Sequence, residues 1–423
     1  MKIALFNLGC SKNIVDGNKM LGFLQEQGCT VVDDAAAAEV LLVNTCTFIE
    51  SATKEAIDTI FAAAGVAHEE HKTLIVAGCF SQRYREEIAQ EFPEVDLWLG
   101  VDDWEEGLRN YFSLHRPVSG YTRRLEEPLH SQYLKISEGC SHRCSFCIIP
   151  HIRGSFRSFS PDDLLAEAKW LESQGVRECI VVSQDTSFYG RDHHSSLAVF
   201  LERLVRETSF PMIRMMYLHP AFVDADLLAL VAREERLCSY FDIPLQHISD
   251  SILSQMGRRP GEAGIYEVIQ KIRDTVPDAV IRSSFILGYP GETEEDFEKL
   301  CDFIRWARLD KVGVFPYSPE EGTRAAEAEP KVPVEVAQER CEILMNIQRD
   351  ISREKQEERV GKTLPVLIDR ISDSPDYLFE GRTMGDAPEV DGRVFILSGD
   401  GEVGQIVPAT IIDCDDYDLF ATL

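Results

Sequence analysis

The chain has 423 residues, more than one hydrophobic core usually serves, and 44% of them are hydrophobic, so two or three packed domains are expected. With 72 acidic against 43 basic residues its formal net charge is -29, which disfavours polyphosphate unless a local basic groove overrides it, and favours a basic partner. The start lacks a signal peptide's features and no apolar run is long enough to span a membrane, so a cytoplasmic protein is expected, whose 12 cysteines stay reduced and serve metal rather than disulfides.

Residues 1–118 contain three apolar runs with one kind of ending: Lys2 to Cys10, Glu39 to Cys46 and Lys72 to Cys79. Each reads as a short buried parallel strand, followed by helical stretches at Asn18 to Gln27, Ser51 to Ala64 and Gln82 to Phe92. That alternation predicts an open α/β sheet, in which ligands bind beyond the carboxyl ends of the strands. Cys10, Cys46 and Cys79 stand at three such ends, each after a small or hydroxyl residue. A lone strand-end cysteine is usually a small buried hydrophobe, as Cys29 is read; three together point to a metal site.

A polar link, Arg116 to Leu129, leads into residues 130–330 and a second alternating series. Its strands are expected at Tyr133 to Gly139, Glu178 to Asp185, Met212 to His219, Tyr240 to His247, Ala279 to Gly288 and Lys311 to Ser318. Helical periodicity between them, as at Pro161 to Ser173 and Glu294 to Arg308, makes βα units and predicts a partial (β/α)6 barrel whose working end is the carboxyl rim. The loop after its first strand carries Cys140, Cys144 and Cys147 in the spacing C-x3-C-x2-C. Three thiolates are one fewer than usually hold a 4Fe-4S cluster or a tetrahedral zinc, which points to a cluster with one iron open to a small molecule. The plainer readings are incidental thiols, or a structural zinc whose fourth leg lies elsewhere; His142 would have to fold back on its own loop to supply it.

A charged helical bridge, residues 331–359, precedes short alternating β segments in residues 360–423: Leu364 to Ile371, Tyr377 to Thr383, Gly392 to Leu397 and Ile406 to Cys414. They predict a small antiparallel barrel, and with 13 acidic against 4 basic residues it is markedly acidic. Cys179, Cys238, Cys301, Cys341 and Cys414 show no ligand spacing and read as buried small residues.

C-x3-C-x2-C with an aromatic, Phe146, before the last cysteine resembles the radical S-adenosylmethionine enzymes. The N-terminal trio, the six-stranded barrel and the TRAM-like β module together resemble the methylthiotransferases over nearly the whole chain. Leu8-Gly-Cys-Ser-Lys-Asn13, Asn44-Thr-Cys-Thr-Phe-Ile49, Gly78-Cys79 with Gln82-Arg-Tyr84, and Ser183-Gln-Asp-Thr186 resemble the branch that modifies a ribosomal small-subunit protein, number twelve. The sequence departs from the family at Phe159, where Arg is general, and at Gly17, where Ser is common.

The resemblance implies two 4Fe-4S clusters and S-adenosylmethionine. Cys140, Cys144 and Cys147 would hold the cluster whose open iron chelates the amino and carboxylate groups of S-adenosylmethionine, so that one electron cleaves the sulfonium to a 5′-deoxyadenosyl radical. Cys10, Cys46 and Cys79 would hold an auxiliary cluster carrying the sulfur, which is methylated by one S-adenosylmethionine and joins the β-carbon of an aspartate after a second yields the radical. Phe146 and the backbone at Gly288 would approach the adenine; Gln184, Asp185 and Gln246 would face ribose or substrate; Arg153 and Arg157 would meet the cofactor carboxylate. Their plain alternatives are a core anchor, an ordinary Pro-Gly turn, strand-end polarity and surface solvation. The implied partners are a basic ribosomal protein, a reductant such as flavodoxin or ferredoxin, and a sulfur donor, with no strong nucleic-acid binding.

Two other functions predict different sequences. A tRNA adenosine methylthiotransferase needs a basic β module to neutralise phosphates, against the acidic one here. A non-catalytic iron-sulfur electron carrier needs four cysteines per cluster, and neither trio has a fourth.

Overall fold

A computed structural model describes residues 1–117 and 122–423; of the expected link, residues 118–121 lie outside the described residues. The N-terminal unit is a parallel sheet in the order β2-β1-β3-β4-β5, from β1 (Lys2–Asn7), β2 (Thr30–Val31), β3 (Val40–Thr45), β4 (Thr73–Gly78) and β5 (Leu97–Trp98). Helices α1 (Ser11–Glu26), α2 (Glu50–Glu70), α3 (Cys79–Ile88) and α4 (Trp104–Phe112) alternate with them. Every residue of β3 is buried. Leu41 and Val43 pack into one core while Val40 and Leu42 pack into the other, so both faces are covered and the strand reads as an unbroken apolar run. The edge strands β2 and β5 were not anticipated, because two residues carry no periodicity.

The central unit contains β6 (Ser131–Lys135), a two-stranded ribbon of β7 (Ser137–Glu138) and β8 (Arg157–Ser158), then β9 (Glu178–Val182), β10 (Met212–Met215), β11 (Tyr240–Asp242), β12 (Val280–Leu287) and β13 (Lys311–Pro316). Strands β6, β9 and β10 form one parallel sheet and β11, β12 and β13 another; a parallel bridge from Ile213 to Leu237 joins them into the six-stranded partial barrel. Helices α5 (Ile149–Arg153), α6 (Pro161–Ser173), α7 (Leu197–Glu207), α8 (Ala225–Arg233), α9 (Asp250–Met256), α10 (Glu262–Thr275) and α11 (Glu294–Ala307) accompany these strands. A continuous core joins barrel strands to helices, from Leu134 and Ile136 through Phe241 and Phe285 to Phe303.

Helix α12 (Val334–Glu357) ties this unit to the last one: Gln348 donates to the Leu309 carbonyl, and Gln356 to that of Tyr417. The C-terminal unit closes as β14-β15-β16-β18-β17, from β14 (Thr363–Ile371), β15 (Phe379–Thr383), β16 (Val394–Ser398), β17 (Ile406–Cys414) and β18 (Leu419–Thr422). Strand β18 is the fifth, unforeseen after an acidic turn, and it pairs in parallel with β16 while the other pairings are antiparallel. Leu367, Met384, Ala387 and Ile406 pack on Ile180, Met212, Cys238, Tyr240 and Val280, so this unit plugs the amino end of the barrel. The opposite rim is left for chemistry.

That plug is bolted by a buried carboxylate. Glu178 accepts from Arg214 at 2.8 Å, Arg382 at 2.8 Å and the Ser131 hydroxyl at 2.7 Å. Burial alone would raise its carboxyl, but the Arg382 and Arg214 charges and their hydrogen bonds outweigh it and bring the pKa down to about 2. A pKa lowered on folding contributes stability that is present above the unfolded value of about 4.3 and is lost as pH falls toward about 2, roughly 3 kcal/mol in all. Acid titration of the wild type should therefore lose stability through that window. Glu178→Gln should be destabilised at pH 7 and show a flatter acid limb in urea-unfolding midpoints.

Candidate active site

Three strand ends build the first thiol site. The register sets Asn7 beside Asn44 and Thr45 beside Gly78, so the turns leaving β1, β3 and β4 lie side by side. Gly9 and Gly78 have φ of +93° and +92°, which Cβ-bearing residues rarely adopt. A Cβ on Gly9 would lie 2.6 Å from the Cys46 Cβ, and one on Gly78 would lie 2.6 Å from the Thr45 carbonyl oxygen. Glycine before Cys10 and before Cys79 is thus what lets these neighbouring turns pack so closely.

Cys46 and Cys79 are buried and Cys10 is exposed. Surrounding protein raises the Cys10 thiol pKa, but the Lys12 and Arg153 charges and the backbone N–H groups of Asn13 and Lys12 outweigh it, and its pKa is lowered. Burial raises Cys46, and takes Cys79 up to about 11 against the Arg153 charge; each of these thiols feels the Cys10 charge.

The second site is one loop. The Cys147 N–H donates to the Cys144 carbonyl at 3.2 Å, and Cys140 N–H to that of Gly154 at 3.1 Å. Burial pushes Cys140 up to about 11 and Cys147 to about 12, and both are raised further by Cys144. The loop is pinned by Ser145, whose N–H donates to the Met256 carbonyl, whose carbonyl accepts from Ala325, and whose hydroxyl bonds Tyr289 Oη at 2.8 Å. Arg258 Nη1 stands 4.0 Å from Cys144 Sγ.

Buried thiols raised this far are poor thiolates unless a cation compensates, which suits ligands that shed their protons on binding metal. Among the described residues no three His, Cys, Asp or Glu side chains converge as they would on one ion. A four-iron cluster takes each thiolate at a different iron, which suits more widely spaced donors.

The other residues singled out from the sequence divide. Gln184 Nε2 donates to Glu138 Oε1 at 2.9 Å, and its Oε1 is buried with no hydrogen bond. Gln246 lies at the rim with φ +74°, half-buried. Asp185 is occupied by His142 Nε2 at 2.6 Å and the Ser187 hydroxyl at 2.6 Å, so His142 is turned to a carboxylate rather than held for a metal. Phe146 packs against Ile252, Met256, Tyr289 and Ala325, anchoring the cysteine loop. At Gly288 the close approach is made by Ala337 of α12, 2.3 Å from where a Cβ would stand. Arg157 is exposed and reaches Asp102 at 3.4 Å. Phe159 packs into the barrel core, and its carbonyl accepts from Tyr189 Oη at 3.0 Å.

Three family models match the chain: Uncharacterized protein family UPF0004 over residues 2–100, Radical SAM superfamily over 134–304, and TRAM domain over 360–423. The chain is 42% identical to a protein of Sorangium cellulosum (strain So ce56) named ribosomal protein uS12 methylthiotransferase RimO, over 100% of this chain and 91% of that one. The protein of that name in Clostridioides difficile (strain 630) is 41% identical over 99% of this chain and 98% of its own. The chain belongs to the uS12 methylthiotransferase family. Its fold is similar to the radical S-adenosylmethionine methyltransferase TsrM from Kitasatospora setae, with a TM-score of 0.57 at 14% identity over 77% of each chain. The cobalamin-dependent S-adenosylmethionine radical enzyme OxsB gives 0.51 at 11% identity, over 82% of this chain and 56% of that one. Iron-sulfur and S-adenosylmethionine chemistry follows from membership.

Within this family fold, the sequence reading missed what joins the two thiol sites. Arg153, six residues beyond Cys147, does not reach outward for a cofactor carboxylate but is buried between the units. Its Nε donates to Cys79 Sγ at 3.2 Å, Nη1 to Asp16 at 2.6 Å and Glu138 at 3.1 Å, and Nη2 to Asn13 at 2.9 Å. Lys135 pairs with the same Asp16 and Glu138. Two cations and two carboxylates thus neutralise one another out of water, and no spacing in the sequence announces it.

Gly17 also has a local reason. A Cβ there would stand 2.5 Å from Asn7 Oδ1 and 2.9 Å from Asn44 Nδ2, two groups bonded to each other at 2.7 Å beneath the Cys10 turn. Gly17→Ala should break that pair and cost about 1–3 kcal/mol, read as a lowered thermal midpoint.

Proposed function

We propose that this chain transfers a methylthio group to the β-carbon of an aspartate in ribosomal protein uS12, using S-adenosylmethionine both as methyl donor and as radical source. The single observation that carries the reading is the Arg153 link from the barrel's cysteine loop to Cys79, in a chain that matches uS12 methylthiotransferases along its whole length. We assign Cys140, Cys144 and Cys147 to one 4Fe-4S cluster and Cys10, Cys46 and Cys79 to a second. When bound, the clusters and S-adenosylmethionine supply one-electron cleavage of a sulfonium and a sulfur that can be methylated and handed on.

The chain's own residues prepare that chemistry. Cys46 and Cys79 are buried, Cys147 is partly so, and desolvation raises all three thiols, so these protons must leave as metal enters. Ser145, Tyr289 and Phe146 hold one loop rigid, and Arg153 holds the other site against it. Gln184 keeps a buried carbonyl oxygen for a donor such as a ribose hydroxyl, and Gln246 is the second rim residue assigned to ribose or substrate. The acidic TRAM domain suits a basic protein better than a phosphate backbone. A one-electron donor of the flavodoxin or ferredoxin kind completes the set. No helix among the described residues is long and apolar enough to cross a membrane.

Anaerobic reconstitution with iron and sulfide, followed by dithionite, S-adenosylmethionine and uS12, should yield 5′-deoxyadenosine and a methylthio-aspartate detectable by mass spectrometry. Methylthio-adenosine in tRNA without modified aspartate would overturn the substrate, and absence of 5′-deoxyadenosine would return the chain to electron carriage.

A further inference from the structure

We propose that the open edge of β13 is a docking strand: an extended segment of ribosomal protein uS12 pairs with it, and a basic side chain of that segment enters the cavity at its amino end to meet Asp418. This deepens the methylthiotransferase reading and rests on it.

Strand β13 ends its sheet, which runs β11-β12-β13, so only one of its sides is paired. The Asp310 N–H donates to the Ile281 carbonyl, and the register continues with Val312 beside Ser283 and Val314 beside Phe285. Backbone groups alternate in direction along a strand, so Val312 and Val314 face β12. Lys311, Gly313 and Phe315 turn their N–H and C=O groups the other way, where no strand among the described residues receives them. A row of unpaired backbone groups is a template for another chain, and Gly313 on this edge is half-buried rather than covered.

A cavity of about 340 Å³ lies against the start of that edge, walled by β12, β13, α12 and the TRAM domain. Its cations are already matched, Arg282 by Asp242 at 2.8 Å and Lys311 by Asp386 at 2.6 Å. Of its carboxylates, Asp310 meets Lys355 at 2.8 Å and Asp391 lies 3.5 Å from Arg282. Among the described residues, Asp418 alone of this set has no ion pair. Burial raises its carboxyl above the ordinary value, against the Arg393 N–H that it accepts at 2.7 Å and the more distant Arg393 and Lys311 charges. Gln348, 1% exposed, lines the same cavity and keeps its Oε1 without a hydrogen bond. Two acceptors short of donors fit a Lys or Arg side chain. The cavity stands at the amino ends of the strands, away from the cysteine rim, so neither acceptor awaits a cluster.

Charge and direction identify the occupant. The domain that walls the cavity carries 13 acidic against 4 basic residues, which suits a basic substrate protein. From the cavity, β13 runs six residues, roughly 20 Å at about 3.3 Å each, to the carboxyl rim. A segment paired along it is delivered to the end where the cysteine loop stands.

The test measures uS12 binding to reconstituted holoprotein by fluorescence anisotropy. Gly313→Ala keeps the outward N–H and should bind within about threefold of wild type. Gly313→Pro removes that donor without touching the β12 ladder and should bind about fivefold or more weakly, the value of one lost hydrogen bond. Asp418→Asn keeps an acceptor for the Arg393 N–H and should lose about tenfold, with a shallower dependence on salt. All three should form 5′-deoxyadenosine at the wild-type rate when uS12 is absent. Gly313→Pro that binds as tightly as Gly313→Ala overturns the assignment alone, as does Asp418→Asn that binds like wild type. A dimer of the chain that Gly313→Pro dissolves gives the edge to a second copy and also overturns it. Wild type that leaves uS12 unmodified overturns the reading beneath, and the assignment with it.

Discussion

Cys144→Ala is expected to abolish 5′-deoxyadenosine formation and methylthio transfer together, whereas Cys46→Ala keeps the first and loses the second. The two residues belong to separate supports, a loop of the barrel rim and a strand end of the N-terminal sheet, so either site can be emptied while the other keeps its scaffold. Each variant should lose about four irons per chain relative to the reconstituted wild type. Chromatography of the nucleoside and mass spectrometry of uS12 separate the outcomes. Thiolation retained at the wild-type rate by Cys46→Ala would show that the N-terminal trio is not the source of the transferred sulfur.

The second large effect is on stability. Arg153→Met leaves Asp16 and Glu138 facing one cation, Lys135, instead of two, and removes the hydrogen bonds to Cys79 and Asn13. Removing one partner from a buried charge set costs about 3–5 kcal/mol, because the remaining charge is left uncompensated out of water. Chemical unfolding of the iron-free chain reads that loss without any dependence on cluster loading. Arg153→Lys should recover only part of it, since one ammonium cannot span the donors that a guanidinium reaches. Adding Glu138→Gln to Arg153→Met should be less damaging than the sum of the two, a coupling that a double-mutant cycle measures. A loss under about 1 kcal/mol would mean that water enters this contact and the network does not hold the units together.

The legible parts of the chain were those whose physics is local. Strand β3 announces itself because a strand covered on both faces must be apolar at every position, and the Gly-Cys endings are legible because a left-handed turn needs glycine. The C-x3-C-x2-C loop carries its ligand count in its spacing. Strands β2 and β5 escaped because they are short and sit on a neighbouring strand's edge, and β18 because it is defined by pairing with β16 and β17 as the barrel closes. Phe146 and Gly288 were read toward a cofactor from their motifs; the fold adds that Phe146 packs on Met256 and that Gly288 gives passage to Ala337, contacts that depend on chain segments far away in sequence.

Sequence by itself determined the alternation of strand and helix, the two trios of thiols and the acidity of the last domain, since each is a property of composition or of short spacing. Only the tertiary structure decided that Arg153 turns inward to Cys79 and that Gly17 makes room for the Asn7–Asn44 pair. The reason is electrostatic. Whether a charge is neutralised depends on distances between groups such as Arg153 and Asp16, 137 positions apart in the chain, and those distances exist only once the units have packed.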